Sequence, residues 1–191
     1  MTGSIIIIDL PGPVAAAQTA ELGGILRGLA RRFEEPRAGS YDVEIGPGRL
    51  NAATPEPADG EPRLFTVSIT GPGFGDEGVF RAEHADDPEL EPLIGYSPTH
   101  DVALVTPYTG LVDRLMLAEL CAIVQEVVGG LVELRVSSRI VDEVRKLPGV
   151  VAISEEAPPR VFGSAEFIRG WAAHPEFTNY SMPFRYRPGH F

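Results

Sequence analysis

Four histidines, His84, His100, His174 and His190, are the side chains of this sequence best suited to proton transfer or metal binding. None stands four residues from another and none opens a His-Glu-x-x-His run, so no pair shares the helix face that grips zinc. His100 adjoins Asp101 at a strand start, where neighbouring side chains point to opposite faces. His174 precedes Pro175 at a helix end, where a cationic ring suits the dipole. Structural or solvated roles account for all four. Asp9 closes the first strand, where many α/β enzymes place a carboxylate, but Pro11 follows it and turn formation accounts for it. Ser164, in Phe162-Gly-Ser-Ala-Glu166, lacks the second glycine of a nucleophile elbow and reads as a helix cap. The glycine-rich stretch Gly71–Gly78 follows a strand as phosphate loops do. However, Asp76 and Glu77 stand where a phosphate would approach, so it reads as an acidic loop. Cys121 is the only cysteine, which excludes an intrachain disulfide and a cysteine metal site. It sits in the apolar run Leu120–Val124 and reads as a small buried hydrophobe. No catalytic residue, metal or cofactor is expected.

The elements that would position these residues follow from periodicity. Ser4–Leu10, with four consecutive isoleucines, reads as a buried strand ended by Pro11-Gly-Pro13. Val14 to about Phe33 reads as a helix, and Tyr41–Ile45 as a half-buried strand. Gly46–Pro62 reads as a Pro/Gly-rich loop. Leu64–Thr70 alternates, and Phe65, Val67 and Ile69 form its core face. An acidic segment over Gly71–Pro98 follows, with a short strand near Val79–Arg81. Val102–Thr106 is a strand leading into a central, nearly all-apolar helix over Gly110–Val128, capped by Thr109 and closed by Gly129-Gly130. Strands at Leu131–Val136 and Val150–Ser154 flank a short helix that starts at Ser137 or Ser138 and ends near Leu147. A last helix, Ala165–Ala173, starts at Ser164. The order predicts a single α+β domain over 1–191, with a mixed sheet of five to seven strands and helices packed mainly on one face. It carries an acidic, loop-rich connection at about 71–100 and an aromatic C-terminal tail at about 177–191.

Charge is the most informative global property. The 191 residues hold 16 bases, of which Lys146 is the sole lysine, against 27 acids, a net charge of −11. Residues 1–100 carry 16 acids and 7 bases, while 101–191 carry 11 and 9, so the excess is N-terminal. Asp76–Glu91 alone sets seven acids against Arg81. Such a field repels nucleic acid and anionic membrane and attracts basic partners. The N-terminal apolar run of four isoleucines lacks a basic flank, so neither a signal peptide nor a membrane span is predicted and a cytoplasmic location is expected. The C-terminal 25 residues hold seven of the fifteen aromatics, with Arg169, Arg185 and Arg187 among them. Folding back over the core and docking on a protein partner are both open for that tail.

Five stretches form a pattern: Leu117-Ala-Glu-Leu, Gly129-Gly-Leu-Val-Glu133, Leu147-Pro-Gly149, Phe167-Ile-Arg-Gly-Trp171 and His174-Pro-Glu-Phe177. The pattern resembles an uncharacterised actinobacterial protein family, and more loosely it is similar to immunity proteins encoded beside polymorphic toxins. The resemblance covers the C-terminal third, implies one α+β domain and a partner-binding role, and carries over no catalytic residue.

The expected function is therefore a non-catalytic acidic binding protein, of immunity type, that neutralises a basic toxin. Its expected contacts are Asp76, Glu77, Glu83, Asp86, Asp87, Glu89 and Glu91, and its oligomeric state is open. The alternatives are an enzyme with a non-standard site around Asp9, His100, Asp101 and Tyr108, and a structural subunit that docks through its aromatic tail.

Overall fold

The computed structural model describes residues 3–50, 52, 60–74, 77–84 and 90–179. Its frame is one eight-stranded sheet, in the order β2-β3-β4-β5-β1-β6-β8-β7. The strands are β1 (Ser4–Leu10), β2 (Arg32–Arg37), β3 (Ser40–Ile45), β4 (Arg63–Thr70), β5 (His100–Thr106), β6 (Leu131–Arg135), β7 (Val150–Ile153) and β8 (Arg160–Gly163). Every neighbouring pair is antiparallel. The α+β class holds, but the expectation of a mixed sheet of five to seven strands does not.

The connections explain why. β5 and β6 are joined by helix α4 (Leu111–Val128) and run parallel, as a β-α-β unit requires, but β1 lies between them and opposes both. β8 separates β6 from β7 in the same way, and β3, β4 and β5 fill the gap between β1 and β2. Each crossover returns in the parallel sense, and an inserted strand makes every ladder antiparallel.

Two strands escaped the periodicity. β2, Arg-Phe-Glu-Glu-Pro-Arg, begins inside the stretch expected as helix to about Phe33, beyond the end of helix α1 (Ala16–Leu29). The helix instead ends at Leu29, and Ala30 turns extended, with ψ 145°. Pro36 is tolerated because β2 is an edge strand, where proline and charge discourage further pairing. β8 follows Pro158-Pro159, in a stretch to which the periodicity assigns no element, and all four of its residues are buried.

Alternation divides the sheet into two faces. Ile6, Ile8, Leu10, Phe65, Val67, Ile69, Val102 and Leu104 join the main core beneath α1, α4 and helix α6 (Ala165–Ala172). Helix α4 is the centre of that layer, packed on β1, β5 and β6 and flanked by α1 and α6. Its cap is Gly110 rather than Thr109. Asp113 reaches back to accept the Gly110 N–H at 3.0 Å and also accepts from Arg63 Nε at 2.7 Å. Ser164 occupies the α6 cap position, but its hydroxyl does not cap. Gln125 Oε1 from α4 accepts the Ala165 N–H at 2.9 Å instead. Gly130, at φ +73°, lies so close to the Asp9 carbonyl and Leu10 that a Cβ could not fit, which locks the α4 exit against β1. Helix α5 (Val141–Val144) is a single short turn.

Arg169 ties α6 to α4, donating to Glu119 at 3.0–3.2 Å and to Glu126. The hydrogen bonds to Glu126 and then Glu119 push the guanidinium pKa up. The Arg169 bond in turn holds Glu126 below its usual value of 4.5, against a smaller opposing effect of burial. Arg169→Met should cost about 1–3 kcal/mol near neutral pH, mainly by leaving the largely buried Glu119 without its cation. The Glu126 part is present above its unfolded pKa and lost as pH falls through the lower folded one. The difference between denaturant melts of wild type and variant should therefore shrink by the Glu126 part between about pH 7 and about pH 3.

The acidic connection is not all loop. Helix α2 (Glu77–His84) replaces the expected strand near Val79–Arg81, and helix α3 (Glu91–Ile94) follows. Phe80 and His84, one helical turn apart, pack with tilted rings, centroids 4.2 Å apart. Ile94 and Leu90 cluster with Phe162 on the second face of the sheet. Helices α1, α4 and α6 thus share one face, and α2 and α3 lie over the other.

Candidate functional site

The register across β4, β5 and β1 sets Thr70 opposite Asp101 and Asp101 opposite Asp9, all on the second face. Both carboxylates are buried. Thr70 Oγ1 donates to Asp101 Oδ1 at 2.5 Å, and His84 Nε2 from α2 stands 3.3 Å from Asp101 Oδ2. Tyr96, just beyond α3, donates its hydroxyl to the Asp9 carbonyl at 2.8 Å. Burial, and then the Asp9 charge, push the Tyr96 pKa up, with a backbone bond from Leu131 opposing. Tyr96 therefore stays a neutral donor. Asp101 gathers two donors from different elements and fixes the orientation of the His84 ring, an arrangement that poises an imidazole for proton transfer.

The four residues of the enzymatic alternative divide. Asp9 and Asp101 come together. His100 turns to the helix face, where Nε2–H donates to the Pro72 carbonyl at 2.9 Å and Nδ1 lies 3.0 Å from Thr99 Oγ1. Gly71, at φ +114°, makes room for that ring, since a Cβ there would lie 2.7 Å from His100 Cδ2. Tyr108 lies past Thr106, at the opposite end of β5 from Asp101, and is 44% exposed. Thr70 and His84 were not foreseen as partners of Asp101, nor Tyr96 as a partner of Asp9. The one local signal was the helical spacing of Phe80 and His84.

The sequence model of a family of unknown function, DUF6368, matches residues 2–178. The chain belongs to that family. The DUF6368 match spans far more than the C-terminal third that carried the resemblance, and it takes in both Asp9 and Asp101. No curated protein and no solved structure matches the chain.

In this DUF6368 protein, the expected partner contacts stand as follows. Glu77 and Glu91 are exposed, at the starts of α2 and α3, and Glu77 pairs with Arg81 one turn on. Asp76, Asp86, Asp87 and Glu89 lie outside the described residues, as does the Glu83 side chain. Of the aromatic tail, Phe177 is buried against Trp171, while Tyr180, Phe184, Tyr186 and Phe191 lie outside the described residues. Among the described residues, no three His, Cys, Asp or Glu gather as a metal site, and no helix is long and apolar enough to cross a membrane. Cys121 is fully buried in α4, and burial pushes its thiol pKa up. A disulfide reagent such as DTNB should label it only after denaturant is added; rapid labelling of the native protein would contradict this burial.

Proposed function

We propose that this protein binds a basic protein partner through its acidic surface, and that it is of immunity type, neutralising a toxin. One observation carries the reading. The segment with seven acids against one arginine falls between β4 and β5 in the chain, and its Glu77 and Glu91 are exposed. Concentrated charge of one sign accelerates encounter with the opposite sign and repels nucleic acid, an effect that falls with salt. The likeness to immunity proteins in the C-terminal third supports the same reading. Pull-down with the product of the adjacent gene, at low and raised salt, is the test. Association should slow as salt rises and weaken about tenfold or more when the seven acids are neutralised together. A partner held equally well in both cases would count against it.

A second reading, an enzyme acting near the strand ends, is favoured by the His84–Asp101 contact at 3.3 Å. Asp101→Asn would then remove turnover while leaving partner capture intact. Loss of capture in that variant would speak against it.

A further inference from the structure

We propose that the second face of the sheet around Ile5, Ile7, Ala103 and Val105, which no described helix covers, is the anchor for that basic partner, flanked by acidic side chains on two sides. This rests on the binding reading above and names its surface.

The argument begins with the four isoleucines. Ile6 and Ile8 enter the main core, at 1% and 0% exposure. Ile5 and Ile7 must then project from the other face, where they are partly exposed. Their cross-strand partners are Val105 and Ala103, also partly exposed, and Leu64 on β4 is 38% exposed. Among the described residues, these five join neither the main core nor the cluster under α3. A solvated face of an antiparallel sheet ordinarily alternates to polar residues, as Thr66 and Ser68 do on β4. An apolar patch in the middle of such a face marks a contact surface.

Charge identifies the occupant. Opposite Thr66 and Leu64 on β3 stand Asp42 and Glu44, and opposite Asp42 on the edge strand stands Glu34. Arg32 is the cation among them and spends its charge mainly on Glu34, at 2.6 Å, against 3.7 Å to Glu44. Toward the Asp9 and Asp101 end, the exposed Glu77 and Glu91 flank the face where α2 and α3 cross. A surface with an apolar middle and acidic margins on two sides, with Arg135 beside Glu133 on the β6 side, complements apolar side chains flanked by arginines or lysines. A second copy of this chain would bring acidic margins against acidic margins.

The test uses methyl-labelled full-length protein and the purified product of the adjacent gene. Ile5, Ile7 and Val105 methyl signals should shift on titration while Ile6 and Ile8, one residue away, stay put. Val105→Lys should weaken binding about tenfold or more, and Val105→Thr, similar in shape, less than about threefold. Binding that leaves Ile5, Ile7 and Val105→Lys unaffected would overturn this surface while the binding reading stood. An absence of binding would overturn both. Self-association that Val105→Lys abolishes would overturn the assignment to a basic partner. Without any partner, a soluble gadolinium chelate should relax the Ile5 and Ile7 methyls far more than those of Ile6 and Ile8; equal relaxation would show the face to be closed.

Discussion

Replacing Trp171 with alanine should lower the unfolding free energy by about 3–5 kcal/mol, the range for deleting a fully buried large aromatic. Trp171 is 0% exposed. Its ring stacks on His174, with centroids 5.2 Å apart, and meets the edge of Phe177 at 6.1 Å. Phe177 is held from the other side by Arg114 of α4, whose Nη1 donates to the Phe177 carbonyl at 3.3 Å. Trp171 therefore joins α6, the turn at Pro175–Asn179 and the start of α4, and the cavity left by alanine could not collapse without moving all three. Denaturant melts should show a lower midpoint with little change in slope. The same experiment separates the packing and docking readings for Trp171 itself. A docking arm would leave stability within about 0.5 kcal/mol of wild type on losing this ring, as exposed positions do. The observed packing assigns Phe167, Trp171 and Phe177 to the core.

The features read correctly from sequence were those set by local pattern. Four isoleucines fixed β1, the alternation of Phe65, Val67 and Ile69 fixed the inward face of β4, and the apolar run around Cys121 fixed the central helix. The features read wrongly were decided by contacts distant in sequence. β2 is a strand because β3 offers it a ladder, with Phe33 packed 5.9 Å from Tyr41, although Arg32 and Phe33 continue the helical spacing before them. β8 owes its place to β6 and β7, which pair with it on both sides. The candidate site follows the same rule. Asp9 and Asp101 were each noticed, but their meeting depends on Ile8 facing Val102, a register that neither strand contains by itself. His84 reaches Asp101 only because α2 is a helix where a strand was expected. His100 and Asp101 are adjacent in sequence and serve opposite faces. Chemistry was thus legible as residue types, while its assembly depended on the sheet.

Arg160→Met should cost about 3–5 kcal/mol, the range for breaking a buried ion pair by removing one partner. Arg160 is wholly buried on the second face of β8 and reaches Glu133 of β6 at 3.5 Å and Glu156 at 3.1 Å. Methionine fills most of the volume, so the loss would come from Glu133, which is 11% exposed and would be deprived of this guanidinium. Adding Glu133→Gln should then recover a substantial share, and a double-mutant cycle on denaturant midpoints would measure it. A single-variant loss below about 1 kcal/mol would mean that water or a neighbouring cation replaces Arg160 without strain. The variant also separates stability from recognition. Arg160 offsets acidic charge on the β6–β8 side of the face, so its loss makes the surface more acidic. If the partner is basic, the Arg160→Met protein should unfold more easily yet associate at least as fast as wild type at low salt. A parallel fall in both would show that Arg160 shapes the docking surface as well as the fold.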